Sequence, residues 1–168
     1  MNEARQWTGW AWLPLSAAVI AVDQLSKLWM VQHFKLYEHV RLLPVLDITL
    51  TFNEGAAFSF LSDASGWQRW LFTVLAVIVA VGILVWLRRL GARRQWLLCC
   101  SLALILAGAL GNVIDRLRIG HVVDFILVHW NDSYFPAFNV ADSAITVGAV
   151  FLLFDAWRES RGAKKVSV

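Results

Sequence analysis

The chain has 168 residues, of which 59% are hydrophobic and only 16% are charged, and its mean hydropathy is +0.60. Soluble domains carry about 25% charged residues, so this composition excludes an ordinary soluble domain as well as a disordered, collagen-like or disulfide-based chain. We predict a polytopic membrane protein with one domain over residues 1–168, and the net charge of +3 gives no reason to expect a nucleic-acid partner.

The first apolar segment is predicted to be a transmembrane helix over about residues 12–31. A cleaved signal peptide is the alternative, but Pro14 interrupts the segment and no small-residue cleavage site follows. Asp23 and Lys27 lie four residues apart, so their side chains share one helix face. They form either a mutually neutralising pair that packs the helices or a pair that supports a functional site.

The next segment, residues 32–66, contains the stretch RLLPVLDITLTFNEGAAFSFL. Partial alternation, β-branched residues and an Asn-Glu-Gly turn signal predict a short β-hairpin or sheet on the outer membrane surface. Two further spans follow at residues 69–88 and 95–115, and both have interiors without charged residues.

The segment 116–138 is apolar and aromatic but too interrupted to span a membrane, so we predict that it lies in the interface. The fourth span is expected at residues 139–157. The fold class is therefore a membrane all-α protein of four spans with a small extracytoplasmic β element and an interfacial segment.

Basic residues predict the orientation of the spans, because Lys and Arg near span ends favour the cytoplasm. One side carries nine: Arg5, Arg88, Arg89, Arg93, Arg94, Arg158, Arg161, Lys164 and Lys165. The other side carries five: Lys35, Arg41, Arg69, Arg116 and Arg118. Both termini are predicted to be cytoplasmic, and residues 32–66 and 116–138 to lie outside.

Two acids at the outer ends of the last two spans are the candidates for chemistry. Asp124 lies in GHVVDFIL and Asp142 in FNVADSAIT. Considered alone, Asp142 can be interpreted as the acid of a capping box that begins at Asn139. Asp124 can likewise be interpreted as an interfacial acid beside His121. Together, two neighbouring carboxyls could share one proton and hydrolyse an amide by general acid and base catalysis, with Asp142 as the ionised partner.

The remaining polar residues do not indicate another kind of catalytic site. Asp115 and Arg116 diverge on the third helix, so we expect Arg116 to turn inward and Asp115 to reach toward water. Ser26 and Lys27 are adjacent and diverge, which argues against a Ser/Lys dyad. The sequence has no metal-ligand spacing among its four histidines and no G-x-S-x-G or phosphate loop, so neither a metal nor a cofactor is predicted.

Five blocks together resemble the lipoprotein signal peptidase (signal peptidase II) family of bacteria. They are VDQLSK, TFNEGAAFSFL, GNVIDR, GHVVDFI and FPAFNVADSAIT, in this order along nearly the whole chain. The resemblance implies an aspartic endopeptidase of the inner membrane that removes signal peptides from prolipoproteins, cutting before a cysteine that carries diacylglycerol. The partners it implies are these substrates and membrane lipid, and it does not imply an oligomer.

The resemblance also implies roles for residues. Asp124 and Asp142 match the catalytic acids, near the outer membrane face. The residues that match substrate-binding or supporting positions are Asp23, Asn53, Gly111, Asn112, Arg116 and Asn139. Two alternatives stay open: a small proton- or solute-conducting protein that uses intramembrane acids as a relay, and a noncatalytic assembly factor.

Overall fold

The computed structural model describes residues 7–54, 66–131 and 133–166, with side chains described as far as residue 161. Within these residues a short 3-10 helix, Gly9–Trp12, precedes four long helices. The helices are α1 (Leu13–His33), α2 (Trp67–Arg89), α3 (Trp96–Arg118) and α4 (Val140–Val166). The strands are β1 (His39–Leu43), β2 (Leu46–Asn53), β3 (Val122–Trp130) and β4 (Ser133–Tyr134).

Three of these helices are long and apolar enough to cross a membrane: α2, α3 and residues 140–161 of α4. The central one is α3, because 72% of its apolar window is buried inside the protein, against 22% for α2 and for α4. The predicted combination of long helices with a small sheet is confirmed. The first helix, α1, is 21 residues or about 30 Å long, and its crossing of the membrane stays a prediction.

Small residues allow α3 and α4 to pack closely. A Cβ atom on Gly108 of α3 would meet the backbone carbonyl oxygen of Ala141, and one on Gly148 of α4 would lie 2.7 Å from the carbonyl oxygen of Ser101. Glycine at such crossings lets two helix backbones approach each other. This close contact fixes the start of α4 against the middle of α3.

The sheet is antiparallel throughout, with the strand order β1-β2-β3-β4. The predicted hairpin is present as β1 and β2, but its turn lies at Pro44 and Val45 rather than at the Asn-Glu-Gly signal. Proline has no N–H to donate to a strand partner and is suited to the turn. The signal instead marks the end of β2 at Asn53, and its Gly55 lies with residues 55–65 outside the described residues.

The segment 116–138 contains a strand that its sequence did not predict. β3 pairs with β2 along most of its length, and its first four residues, Val122–Phe125, are all buried. A strand buried on both faces has no alternation of apolar and polar residues, which explains why its pattern was not recognised. The interfacial position of the segment stays a prediction.

The packing of α3 on α4 predicts that Gly108→Ala lowers the stability of the protein. The added methyl group must displace the α4 backbone at Ala141, and overpacking of this kind costs about 1–3 kcal/mol. We expect a lower midpoint of thermal unfolding in detergent. The control is Gly82→Ala on α2, where an added Cβ meets nothing within 4 Å; an equal effect of the two substitutions would contradict the close-packing account.

Candidate active site

The site is built around the first turn of α4. The side chain of Asn139 accepts a hydrogen bond from the Asp142 N–H at 2.9 Å, and the Asn139 N–H donates to Asp142 Oδ2 at 3.3 Å. This reciprocal pair is the capping box that the sequence predicted. It orients the Asp142 carboxylate at the positive end of the helix dipole.

Asp124 lies on β3 and is 2% exposed. Its Oδ1 accepts a hydrogen bond from the side-chain amide of Asn139 at 2.7 Å, and its Oδ2 accepts one from that of Asn53 at 3.1 Å. Antiparallel pairing sets Thr51 of β2 opposite Asp124, and Asn53, two residues further on, points to the same face of the sheet. The register of β2 against β3 therefore brings Asn53 to Asp124.

Asparagine side chains connect the two acids. Asn139 Nδ2 donates to Asp124 and also lies 3.2 Å from Asn112 Oδ1. Asn112, on α3, donates through Nδ2 to Asp142 Oδ1 at 2.7 Å. Each carboxylate is thus held by an asparagine, and Asn139 contacts both of them, so the structure brings together Asp124 and Asp142 with three predicted supporting residues.

Beneath this pair lies a buried charged cluster. The Lys27 ammonium is 2.8 Å from Asp23 Oδ2, 2.8 Å from Asp115 Oδ2 and 3.0 Å from Asn112 Oδ1. Asp23 Oδ1 also accepts the Ala141 N–H at 2.8 Å, which joins α1 to the start of α4. All four of these side chains are less than 9% exposed.

Gly111 provides the space for this cluster. A Cβ atom at that position would lie 2.8 Å from Asp23 Oδ2, which is closer than real side chains approach. Gly111 also accepts a hydrogen bond through its carbonyl oxygen from the Gln24 side chain, which in turn donates to Asp115 Oδ1 at 2.8 Å. Sequence reasoning missed Gln24, although a polar residue beside Asp23 inside an apolar helix was the available signal.

The expectation that Asp115 reaches toward water was wrong. Asp115 does not reach water: it is 5% exposed, because Lys27, Gln24 and the Val123 N–H all supply hydrogen bonds to it. His121 does not pair with Asp124 but lies against the Phe52 ring, with 4.2 Å between ring centroids.

Arg116 lies beside the acids, as predicted, without a direct ion pair to them among the described residues. Its guanidinium lies over the Phe72 ring, 5.5 Å from the centroid, and it interacts electrostatically with Asp142, Asp124 and Asp115. Within the described part of the chain its buried Nε has no hydrogen-bond acceptor. The arginine is therefore close to the acids and keeps donors that are not used by them.

The environment of Asp124 strongly favours its protonated form. Burial, and to a smaller extent the negative charge of Asp142, together raise the pKa of this carboxyl from 3.8 to about 7. Hydrogen bonds from Asn53 and Asn139 and the positive charge of Lys27 act in the opposite direction. Asp124 therefore holds a proton over much of the range in which an ordinary aspartate has lost its own.

A cleft of about 630 Å³ leads to Asp124 from the sheet side. It lies between β2, the start of α2 and the connection from β4 to α4. Its lining includes the following residues: Thr51, Asn53, Gln68, Asp124, Tyr134 and Phe135. Among the described residues no group of three or more His, Cys, Asp or Glu side chains is arranged to hold a metal ion.

Comparisons with known proteins agree on one family. The family described as signal peptidase (SPase) II matches residues 15–158. Proteins named lipoprotein signal peptidase are similar to this chain. The one from Pseudomonas syringae pv. tomato is 52% identical, and the match covers 94% of this chain and 91% of the relative. The one from Pseudomonas aeruginosa PAO1 is 52% identical, with 91% of each chain covered.

Solved structures support the fold. One, described as a bacterial membrane enzyme structure obtained by the in meso method at 2.3 Å, matches with a TM-score of 0.78 and 28% identity over 89% of each chain. A second with the same description at 1.9 Å matches with a TM-score of 0.74 and 29% identity, covering 86% of this chain and 90% of its own. Both are thus similar to this chain over nearly the whole fold.

The raised pKa of Asp124 predicts that the protein loses stability as the pH rises toward 8. Between about pH 4 and 7 the folded protein retains a proton that the unfolded chain has released, so unfolding becomes easier with increasing pH. The side chain of the Asp124→Asn variant is a neutral amide, which does not release a proton in this pH range. We expect the midpoint of thermal unfolding in detergent to fall less between pH 5 and 8 in the variant than in the wild type; identical slopes would refute the protonation of Asp124.

Proposed function

Because the chain belongs to the signal peptidase II family, we propose that it removes signal peptides from prolipoproteins by aspartic catalysis, with Asp124 and Asp142 as the catalytic residues. The membership itself makes the chain a peptidase that acts on prolipoproteins, and its apolar helices agree with an inner-membrane location. The aspartic mechanism and the roles of single residues form the proposal.

One observation carries this proposal: Asn139 contacts both acids. Its side chain donates to the Asp124 carboxyl and accepts from the Asp142 N–H, and its backbone N–H donates to the Asp142 carboxylate, so one residue is hydrogen bonded to both carboxyls. The charge of Asp142 disfavours ionisation of Asp124, and neighbouring carboxyls can hold one proton between them because ionising both is costly. Such a pair can provide an acid and a base at the same pH.

In this pair, Asp124 is the general acid. With its pKa raised to about 7, it retains a proton at neutral pH and can donate it to the oxygen of the scissile carbonyl as that oxygen gains negative charge. The same residue lines the cleft, which gives an extended peptide access to it.

Asp142 is the general base. The N-terminus of α4 and the donors from Asn112 and Asn139 stabilise its charged form. It removes a proton from a water molecule while the water oxygen bonds to the carbonyl carbon. That proton then passes to the leaving nitrogen as the C–N bond breaks, and Asp124 regains its own proton as the carbonyl re-forms.

The remaining predicted residues hold the site and the substrate. Asn53 keeps Asp124 in place, Asn112 keeps Asp142 in place, and Asp23 anchors α1 to the start of α4. Gly111 leaves the space that Asp23 occupies. Arg116 offers a cation beside the acids, where it can bind carbonyl groups of a substrate that has left helical geometry in the membrane.

We place the scissile bond, just before a diacylglyceryl cysteine, at the outer membrane surface. Acyl chains on the cysteine remain in the bilayer while the peptide bond enters the cleft at Asp124. This arrangement requires four spans and two cytoplasmic termini, with the sheet outside. The sequence pattern supports that orientation, because it groups nine basic residues at the predicted cytoplasmic ends of the spans.

A conducting protein with a proton relay has weaker support. A relay requires acids spaced through the membrane, whereas Asp23, Asp115, Asp124 and Asp142 gather at one end of the helix bundle. Asp23 and Asp115 are both bound to Lys27. The comparisons also give this alternative no support.

Replacing either acid is expected to abolish peptide cleavage. Asp124→Asn removes the proton donor, and Asp142→Asn removes the base. Either loss should lower the rate of cleavage of a purified diacylglyceryl prolipoprotein by at least about 10³-fold, measured by gel shift in detergent micelles. Thermal unfolding of each variant would show that the fold is retained.

The matched control is Asp155→Asn. This acid is also on α4 and is 4% exposed, but it is hydrogen bonded to Arg158 at the other end of the helix. Its replacement should leave the cleavage rate within about twofold of the wild type. Processing by Asp124→Asn or Asp142→Asn at the rate of this control would disprove the aspartic mechanism.

Reporter fusions test the proposed four spans. Alkaline phosphatase, which is active only outside the cytoplasm, should be inactive when fused after Gly91, since two spans precede that position. It should be active when fused after Trp130, which three spans precede. If α1 does not cross the membrane and the N-terminus remains inside, the fusion after Gly91 should be active and the fusion after Trp130 inactive. That result would overturn the proposed topology.

A further inference from the structure

We propose that Lys27 is a positioning residue for catalysis, which acts by fixing the orientation of the Asn112 side-chain amide toward Asp142. The inference rests on the proposed function, because it assigns a role to a residue that supports the proposed base. It goes beyond the simpler interpretation, in which Lys27 only neutralises Asp23 within the helix bundle.

The hydrogen-bond chemistry allows only one orientation of Asn112. Lys27 Nζ, 3.0 Å from Asn112 Oδ1, can only donate hydrogen bonds, and the ionised Asp142 carboxylate, 2.7 Å from Asn112 Nδ2, can only accept them. A flipped amide would set its NH2 group against an ammonium and its oxygen against a carboxylate. The Lys27 ammonium, together with the Asn139 Nδ2 donor 3.2 Å from the same Asn112 oxygen, therefore keeps the Asn112 NH2 group facing Asp142.

The Lys27 ammonium is itself held rigidly. It has three N–H donors, and its three acceptors are Asp23, Asp115 and Asn112, at 2.8, 2.8 and 3.0 Å. The two carboxylates are fixed in turn, Asp23 by the Ala141 N–H and Asp115 by Gln24 and the Val123 N–H. With all donors used and 3% of the side chain exposed, the ammonium has little freedom to move away from Asn112.

Charge neutralisation alone would not require the third contact. Two carboxylates compensate one ammonium more than fully, yet Lys27 also donates to a neutral amide. That amide is the side chain that donates to Asp142. Among the described residues Lys27 makes no hydrogen bond or ion pair with Asp124 or Asp142, although its charge acts on Asp124 at longer range, and it does not line the cleft at Asp124. Its contact with the proposed base therefore passes through Asn112.

The test is a charge-balanced double variant, K27M/D115N. It removes one buried positive and one buried negative charge together, while Asp23 keeps its hydrogen bond from Ala141. The single variant K27M leaves two buried carboxylates without their cation, so it should unfold at a lower temperature. We expect the double variant to regain most of the thermal stability that K27M loses.

Cleavage kinetics then separate positioning from neutralisation. If Lys27 orients Asn112, kcat for a diacylglyceryl prolipoprotein falls by about 10- to 100-fold in both K27M and K27M/D115N, while KM changes by less than about twofold. If Lys27 only neutralises charge, kcat recovers together with stability in K27M/D115N, and that recovery would overturn the inference.

A double-mutant cycle checks that the effect passes through Asn112. N112L removes the amide through which Lys27 is proposed to act. Adding N112L to K27M/D115N should therefore lower kcat little further. If the two losses of kcat multiply instead, Lys27 acts independently of Asn112, and the inference is overturned.

Asp142→Asn in the same assay distinguishes this inference from the proposed function. An active Asp142→Asn defeats the proposed function, whereas an inactive Asp142→Asn beside a fully active K27M/D115N defeats only the role of Lys27.

Discussion

The structure depends on the compensation of charge at the first turn of α4. A helix begins with N–H groups that have no partner within the helix, and here three of them donate to side chains of the site. The Asn139 N–H donates to Asp142, the Ala141 N–H to Asp23 and the Asp142 N–H to Asn139. Acids that would be costly to bury in an apolar bundle are stabilised there, and the same bonds fix their positions.

The sheet and the helices are joined at this turn, which is why a strand can carry a site residue. Asn139 Nδ2 donates to the Val123 carbonyl oxygen at 3.2 Å and to Asp124 at 2.7 Å. Asp115, near the C-terminal end of α3, accepts the Val123 N–H. Because β3 is bound on one side by α3 and α4 and on the other by β2, neither the strand nor Asp124 can shift without breaking bonds in several elements.

Local signals in the sequence predicted the parts of this arrangement that depend on neighbouring residues. The capping box of Asn139 and Asp142 and the shared face of Asp23 and Lys27 follow from spacing alone, and the structure confirms both. β3 was not predicted, because burial on both faces removes the alternation that marks a strand. The predicted direction of the Asp115 side chain was wrong. That direction depends on Lys27 of another helix, and no local sequence pattern encodes the contact.

The asparagines of the site reflect a constraint on its net charge. An amide has donors and an acceptor, so Asn112 can join the Lys27 ammonium to the Asp142 carboxylate without adding a charge of its own. An acid at that position would repel Asp142, and a lysine would lower the pKa of Asp124, which the proposed role of Asp124 as a proton donor requires to be high. Asn53 and Asn139 likewise hold Asp124 with neutral donors, so the side-chain hydrogen bonds that position the acid do not come from a cation.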